Sequence, residues 1–172
     1  MNLKKNNNIR RTKISYIVDI PKIADEAFLC FAESERHLPF KIKRFYFIWD
    51  VDDAVVRGKH AHRKTVQMAF CIQGKVKMIL DNGYDKEEVV LDRPNRGLFL
   101  DRIMWHEMVD FQKNTVLLVM ASEYFDESDY IRDYDQFLAI ASNGEKRFLK
   151  KITEYLKPNI KLPVWFQRNT SL

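Results

Sequence analysis

Cysteine is scarce in this chain, with only Cys30 and Cys71 among 172 residues. Both lie in apolar runs, which favours buried free thiols, and no zinc-type cysteine spacing exists. Long apolar runs are also missing, because none approaches the roughly 18 residues that a transmembrane helix needs. Residues 1–11 are polar and lack the apolar core of a secretory signal. We therefore expect a cytoplasmic protein without membrane insertion.

The excess of positive charge is confined to the two ends of the chain. The net charge is +5, yet residues 1–13 carry five Lys/Arg and no acid, and residues 145–172 carry seven Lys/Arg and two Glu. Residues 14–144 are therefore mildly acidic. A body of this charge is not expected to bind nucleic acid.

Short strands at regular spacing dominate the middle of the sequence. Residues 24–31 are compatible with helix or strand, and the tracts 73–74 and 81–83 are turn signals. No repeat and no helix–strand alternation occurs, which disfavours a parallel α/β fold. The pattern predicts an all-β fold, a sandwich or small barrel. Strands are predicted at 14–20, 66–72, 76–80, 88–91, 97–100 and 115–122.

An aromatic strand is predicted at residues 43–50. Alternation places Arg44, Tyr46 and Ile48 on one face and the three intervening aromatic side chains on the other. Because both sets are large, we expect both faces to be covered, or one of them to line a pocket.

The chain changes character after residue 122. Ser128 is predicted to cap a short helix that runs through Tyr134 and Phe137. Apolar residues at helical spacing between 148 and 156 predict a second, amphipathic helix that ends at Pro158, packed on the barrel or on a second subunit. The expected organisation is a flexible basic arm (1–13), one β domain (14–144) and a basic amphipathic extension (145–172).

The sharpest chemical feature is the run Arg57-Gly58-Lys59-His60-Ala61-His62. Two histidines that are two residues apart on a strand point to the same side, into one cavity. Such a pair serves either metal ligation or acid–base chemistry, for which an imidazole has a suitable pKa near neutrality.

The spacing of this pair resembles the first motif of the cupins, in which the two histidines precede a glutamate and then a glycine. Gln67 stands in the glutamate position here, and Gly74 in the glycine position. A neutral amide is a poorer ligand for a divalent ion than a carboxylate. Although His106 offers a third ligand, we therefore expect no metal.

The longer pattern Arg-Gly-x-His-Ala-His resembles the hallmark of the sugar 3,4-ketoisomerase family of cupins. Residues 44–48 are similar to the first barrel strand of that family, and residues 126–137 to its C-terminal signature. Phe125 departs from the tyrosine expected before that signature, and the tail after residue 143 is longer than the family core. The resemblance implies a small jelly-roll barrel with short C-terminal helices, and a homodimer acting on a dTDP-linked 4-keto-6-deoxy sugar on the way to a 3-amino sugar.

By that resemblance His60 is the expected catalytic base, with Tyr46 as its partner and His62 as a positioning group or alternative base. Moving a ketone from C4 to C3 is an internal change, so no redox cofactor is required. Arg44 and Arg57 are the natural clamps for the diphosphate, because guanidinium groups make paired, charge-assisted bonds to phosphate oxygens.

Gln67 and Trp105 complete the expected substrate-binding set, with Trp105 serving either as a floor for the thymine ring or as a core residue. Two other functions stay open. An epimerase of the 3,5 type uses the same proton abstraction next to a ketone, and a non-catalytic module would hold a nucleotide sugar without moving a proton. The complete histidine pair favours catalysis, since binding alone does not need a proton relay.

Overall fold

The computed structural model describes residues 9–142 and contains thirteen strands, one 3₁₀ turn and one α-helix in that range. The strands are β1 Ile9–Arg11, β2 Tyr16–Asp19, β3 Lys22–Ala24, β4 Phe28–Cys30, β5 Arg44–Trp49, β6 Arg57–His62, β7 Gln67–Gln73, β8 Val76–Asp81, β9 Lys86–Leu91, β10 Arg96–Leu100, β11 Trp105–Val109, β12 Val116–Ala121 and β13 Tyr130–Ile131. The 3₁₀ turn spans Glu127–Asp129, and the helix α1 spans Tyr134–Ser142.

Two antiparallel sheets form the body of the molecule. The six-stranded sheet has the order β1-β2-β10-β7-β12-β5, and the five-stranded sheet has the order β13-β6-β11-β8-β9. Their inner faces share one buried apolar cluster, to which the first sheet contributes Leu98 and Val119 and the second contributes Met78 and Met108. Burial of this kind of surface is the main favourable term in folding. The predicted all-β jelly-roll barrel of cupin type is confirmed.

Strand β7 is covered on both faces, which explains its unbroken apolar sequence. Ala69 and Cys71 face the shared cluster between the sheets. Met68 and Phe70 face outward and pack beneath the segment that follows β2, with Leu38 and Phe40 among their neighbours in a second buried cluster. A strand buried on both sides shows no alternation of apolar and polar residues.

A third buried cluster fixes α1 against β6 and β11. Phe137 and Ile131 are fully buried in it beside Trp105. The helix was expected to start at a Ser128 cap, and that expectation is wrong in detail. The Asp126 carboxylate accepts the backbone N–H of Ser128 and caps the 3₁₀ turn instead, whereas α1 begins later, where Asp133 accepts the backbone N–H of Gln136.

The start of the β domain lies earlier than the predicted boundary at residue 14. Ile9–Arg11 is a strand paired with β2, and Glu87 binds the hydroxyl of Thr12 and the backbone N–H groups of Lys13 and Ile14. The ambiguous run 24–31 contains the strand β4. The predicted extension, 145–172, lies outside the described residues. Within 9–142, no helix is long and apolar enough to cross a membrane.

Candidate active site

Three histidine rings lie together on one face of the neighbouring strands β6 and β11. His60 and His62 lie on the same side of β6 with ring centroids 5.0 Å apart, as their spacing predicts. His106 of β11 is paired with His60 in the sheet, and its ring centroid lies 4.5 Å from that of His60. One ring nitrogen from each histidine lies within 4.8 Å of the others. His106, treated in the sequence only as a third metal ligand, is thus part of the site.

A β-bulge at Gly58 and Lys59 aims His60 into this cluster. Both residues have a positive φ, +85° for Gly58 and +54° for Lys59, and the β6–β11 register shifts at this point. A Cβ atom on Gly58 would lie 2.6 Å from the carbonyl oxygen of His106, so only glycine fits. The Gly58 carbonyl is 2.9 Å from Nδ1 of His60 and holds that ring.

His62 is held by a buried carboxylate from the C-terminal part of the domain. Its Nδ1 donates to Oδ2 of Asp129 over 3.1 Å, and both side chains are almost fully buried. Asp129 also accepts the backbone N–H groups of Lys64 and Thr65 and the Thr65 hydroxyl. These hydrogen bonds lower the pKa of Asp129 even though burial acts to raise it. An ionised Asp129 fixes the tautomer of His62 and leaves Nε2 as an acceptor.

Gln67 connects His62 to Tyr46. Its Nε2 lies 3.2 Å from Nε2 of His62 and 3.3 Å from the hydroxyl oxygen of Tyr46. The Tyr46 oxygen therefore accepts from the amide, and its own proton is available to a bound molecule. Burial raises the pKa of Tyr46 to about 12, so the phenol is protonated at neutral pH. Oε1 of Gln67 is buried and finds no hydrogen-bond partner in the described part of the chain.

All three imidazoles are kept neutral by burial. Burial is the largest cause that lowers the pKa of His60, although the Gly58 carbonyl opposes it. Burial, followed by the neighbouring His60, lowers the pKa of His62 to about 4. Burial also lowers the pKa of His106, which lies well below its ordinary value. Neutral rings present lone pairs, which is the form that a proton acceptor needs.

Of the two predicted arginine clamps, the structure brings one to the cluster. Arg44 lies on β5 with its guanidinium 5.5 Å from the Tyr46 ring and 5.6 Å from the Phe125 ring. Its Nε is buried and has no hydrogen-bond partner among residues 9–142. Arg57 is exposed at the start of β6, where it is paired in the sheet with Met108.

Trp105 is not brought to the site. Its neighbour His106 points to the histidine cluster, and alternation along β11 turns the indole to the other face. There the ring packs against Tyr134 and Phe137, and its Nε1 donates to Glu107 over 3.0 Å. From the sequence, Trp105 was either a floor for the thymine ring or a core residue. Its position between β11 and α1 fits the role of a core residue.

The acidic, tyrosine-rich run 126–135 forms one wall of the site. The Tyr130 ring lies 5.0 Å from that of His60 and 4.4 Å from that of His62, because β13 pairs with the end of β6. Arg132 lies over the Tyr130 ring at 4.5 Å. Sequence reasoning missed Asp129 and Tyr130 since nearly 70 positions separate them from the histidines.

The jelly-roll barrel and the histidine–tyrosine cluster inside it are those of a cupin-type enzyme. The sequence profile of the FdtA family, described as WxcM-like, C-terminal, matches residues 13–142. The chain belongs to this family of sugar 3,4-ketoisomerases.

Characterised relatives agree with this assignment. The TDP-4-oxo-6-deoxy-α-D-glucose 3,4-oxoisomerase of Aneurinibacillus thermoaerophilus is 40% identical over 137 residues, which cover 79% of this chain and 93% of the relative. The crystal structure of QdtA, a sugar 3,4-ketoisomerase from Thermoanaerobacterium thermosaccharolyticum in complex with TDP, has a TM-score of 0.75 and 38% identity, covering 77% of this chain and 98% of QdtA.

A second ketoisomerase structure shows the same likeness. WlaRB, a TDP-quinovose 3,4-ketoisomerase from Campylobacter jejuni, has a TM-score of 0.71 and 38% identity, covering 74% of this chain and 99% of WlaRB. The dTDP-4-dehydrorhamnose 3,5-epimerase of Bacillus anthracis shares the fold with a TM-score of 0.64, but at 10% identity this likeness concerns the fold alone.

Proposed function

We propose that this chain converts a dTDP-linked 4-keto-6-deoxyhexose, such as dTDP-4-keto-6-deoxyglucose, to its 3-keto isomer. The product would serve the synthesis of a dTDP-3-amino-3,6-dideoxyhexose for a surface polysaccharide, in the cytoplasm. The observation that carries the proposal is the cluster of His60, His62 and Tyr46, which is bridged by Gln67. The membership in the ketoisomerase family supports the reaction, and the TDP complexes of QdtA support the nucleotide.

The reaction moves two protons in net terms, one from C3 to C4 and one from the C3 oxygen to the C4 oxygen, and causes no net change in oxidation state. The hydrogen at C3 is acidic because it is α to the C4 ketone, so a base removes it and the electron pair forms an enediolate. The C3 hydroxyl then gives up its proton as the C3 carbonyl forms, and C4 receives a proton. The oxygen at C4 ends as a hydroxyl, and the atoms balance without a redox cofactor.

His60 is the proposed base, because it is the least buried member of the histidine cluster and is neutral. Tyr46 is the proposed proton donor to the substrate, since its hydroxyl accepts from Gln67 and keeps its own proton free. His62, locked by Asp129, orients Gln67 and thereby Tyr46. A donor at the developing oxyanion stabilises the enediolate.

Two arginines are proposed to bind the diphosphate. Arg44 lies beside Tyr46, and its buried Nε has no partner within the described residues, so a phosphate oxygen would complete its hydrogen bonds. Arg57 is the second proposed clamp, from the exposed start of the strand that carries the histidines. Burial of the Arg44 Nε without a partner costs stability unless a ligand supplies one, which favours Arg44 as the stronger contact.

The exposed side of β5 supports a homodimer. This strand is the edge of the six-stranded sheet, and its outward residues Phe45, Phe47 and Trp49 are 63%, 43% and 65% exposed. An unpaired edge with an aromatic face is a template for strand pairing, and a two-fold axis through β5 would cover the same patch in both copies. A second copy of this chain is therefore the proposed occupant.

The test is product analysis with dTDP-4-keto-6-deoxyglucose carrying ¹³C at C3 and C4. We expect the ketone resonance to move from C4 to C3 while the nucleotide stays unchanged. Proton exchange at C3 and C5 without migration of the ketone would establish an epimerase instead. Binding of the substrate without exchange or migration would establish a non-catalytic module, and either outcome would overturn the proposal.

A further inference from the structure

The outer face of the five-stranded sheet is covered by α1 at one end. There the helix packs with Ala61 and Trp105 in one buried cluster, and the Tyr134 hydroxyl donates to Asp81 over 2.6 Å. The inward side chains of these strands lie in the cluster between the two sheets, so the side chains between them point outward. Farther along β8, β9 and β11 the outward side chains stay half-buried or exposed within the described chain.

These outward side chains form two rows, which together we call the outer patch. The strand register gives a first row of Glu107, Ile79 and Glu88 and a second row of Val109, Lys77 and Val90. Val90 is 44% exposed, and Ile79 and Val109 are half-buried. A sheet buries its apolar side chains against another layer, so the outer patch is suited to a covering element.

The outer patch has an excess of negative charge. Glu88 and Glu107 lie in it and Asp110 follows β11 beside it, with the ammonium group of Lys77 among them. The Lys77 nitrogen is shared between two of these carboxylates, at 2.8 Å from Asp110 and 3.4 Å from Glu88. The apolar side chains and the acidic excess together favour an occupant that is apolar on one side and basic around it.

The described chain ends close to the outer patch. The Tyr84 hydroxyl, in the turn between β8 and β9, lies 3.1 Å from the carbonyl oxygen of Ala141 and 3.0 Å from that of Ser142. Ile79 lies five residues before Tyr84 in the sequence, about 17 Å away along the strand direction. The five residues 143–147 span up to about 20 Å when extended, so the residues that follow them reach the outer patch.

The segment that follows has the pattern of a matching occupant. Its apolar residues at helical spacing are Phe148, Leu149, Ile152, Tyr155 and Leu156. Residues 145–172 carry seven Lys/Arg against two Glu, opposite in sign to the outer patch. Nine residues of helix are about 13 Å long, which is enough to cover two rows about 7 Å apart. The family profile ends at residue 142, so this segment lies outside the part that the relatives share.

We propose that residues 148–156 form an amphipathic helix that docks on the outer patch of the same chain. The apolar side of this helix covers Ile79, Val90 and Val109, and its lysines face the carboxylates of the patch. Docking adds a further layer to this side of the barrel. The outer patch lies on the opposite face of the sheet from the histidines, so this inference does not rest on the proposed function.

Photo-crosslinking of the full-length protein is the first test. p-Benzoylphenylalanine in place of Ile152 should be captured by residues 77–109, because Ile152 lies in the middle of the apolar side of the predicted helix. The matched control carries the same probe in place of Lys150, about 160° around the helix, and should give little capture. No capture from position 152, capture outside residues 77–109, or equal capture from both positions would overturn the proposal.

The mass of the crosslinked product distinguishes the same chain from a second copy. Capture within one chain keeps the chain mass of 20.6 kDa, whereas capture by a partner doubles it. A doubled mass would assign the segment to a neighbouring copy and contradict docking on the same chain.

Substitutions in the outer patch test the contact from the other side. Ile79→Lys places a charge beneath the helix and should speed amide hydrogen exchange in residues 148–156 by about tenfold. Val90→Lys should do the same from an exposed position on the edge strand β9, so the test does not depend on how well Ile79→Lys folds. Ile72→Lys is the control and should change nothing there, because Ile72 is 39% exposed on β7 of the other sheet. Unprotected wild-type amides in residues 148–156, or protection that neither patch variant lowers, would refute the docking.

An anionic membrane is the other surface that a basic amphipathic helix binds. Sedimentation with vesicles of equal parts phosphatidylglycerol and phosphatidylcholine distinguishes it from the outer patch. Docking predicts that the protein stays in the supernatant and keeps the crosslink from position 152. Protein that sediments with the vesicles and loses this crosslink would assign the segment to the membrane and overturn the proposal.

Discussion

At the scale of single residues, the site depends on side chains that only hold others in place. Asp129 contacts no reacting group, yet it fixes the ring of His62, which positions Gln67 and, through it, Tyr46. Such outer hydrogen bonds determine which nitrogen of a histidine carries the proton. The geometry of the proposed acid–base pair therefore depends partly on a carboxylate 67 positions away from His62 in the sequence.

Asp129→Asn is expected to lower kcat by roughly tenfold to a hundredfold with little change in KM, since the amide no longer holds His62 in one tautomer. Steady-state kinetics together with the ¹⁵N chemical shifts of His62 would check this. Asp126→Asn is the matched control, because Asp126 caps an exposed turn three residues earlier. If both variants lose the same activity, Asp129 has no specific role in positioning.

Gly58→Ala is expected to reduce both stability and activity. The new Cβ would approach the carbonyl oxygen of His106 to 2.6 Å at a φ of +85°, which costs roughly 1–3 kcal/mol, and the bulge that aims His60 would shift. Urea unfolding and the rate per folded molecule measure the two effects.

Gly74→Ala is the control for that measurement, because Gly74 also has a positive φ and its Cβ would contact Thr115, but it lies in the turn between β7 and β8. Gly74→Ala should lose stability and keep its rate per folded molecule. A Gly58→Ala protein with the full rate would show that the bulge does not position the base.

Much of the cluster was predictable from residue types and spacing. The pair His60 and His62 shares one side of β6, and Gln67 and Tyr46 reach it. Asp129 and Tyr130 were not predictable, because contacts between distant strands leave no local pattern. The one available signal was the unusual density of acidic and tyrosine residues in 126–135.

At the scale of elements, β5 shows what the alternation of side chains along a strand can and cannot predict. Tyr46 and Ile48 pack on the core between the sheets, and the intervening aromatic side chains point away, as the period of two requires. The expectation was that both faces are covered or that one of them lines a pocket. In the described single chain the aromatic face is exposed, and the other face brings Tyr46 to Gln67 at the histidine cluster. Alternation gives the two faces of a strand, but which face is covered depends on neighbours that a local pattern does not contain.

Phe47→Asp is expected to convert the proposed dimer to a monomer, because a charge at the centre of the paired patch would have to be buried without a partner. Sedimentation velocity should show the wild type at about twice the chain mass of 20.6 kDa. Val90→Asp, at another exposed position on β9, should stay dimeric. A monomeric wild type, or a dimeric Phe47→Asp protein, would contradict pairing through β5.

At the scale of the whole molecule, the described fold begins before residue 14, the predicted start of the β domain. Strand pairing extends the domain back to Ile9. The sequence did not predict β1, because so short a strand has too few residues for an alternating pattern to appear. The relatives are covered over 93–99% of their own length by 74–79% of this chain. The predicted extension, 145–172, therefore follows the segment that the family shares.

The central claim is that this barrel moves a ketone by proton transfer at the histidine cluster. A proton NMR time course in D₂O with chelator-treated protein and dTDP-4-keto-6-deoxyglucose tests it most directly. The account predicts a 3-keto product with deuterium at C4 and no product with His60→Asn. His37→Asn is the control and should keep the wild-type rate, because His37 lies outside the cluster and binds the backbone of Glu33. Formation of the product at the full rate by His60→Asn, or exchange without migration of the ketone by the wild type, would contradict it.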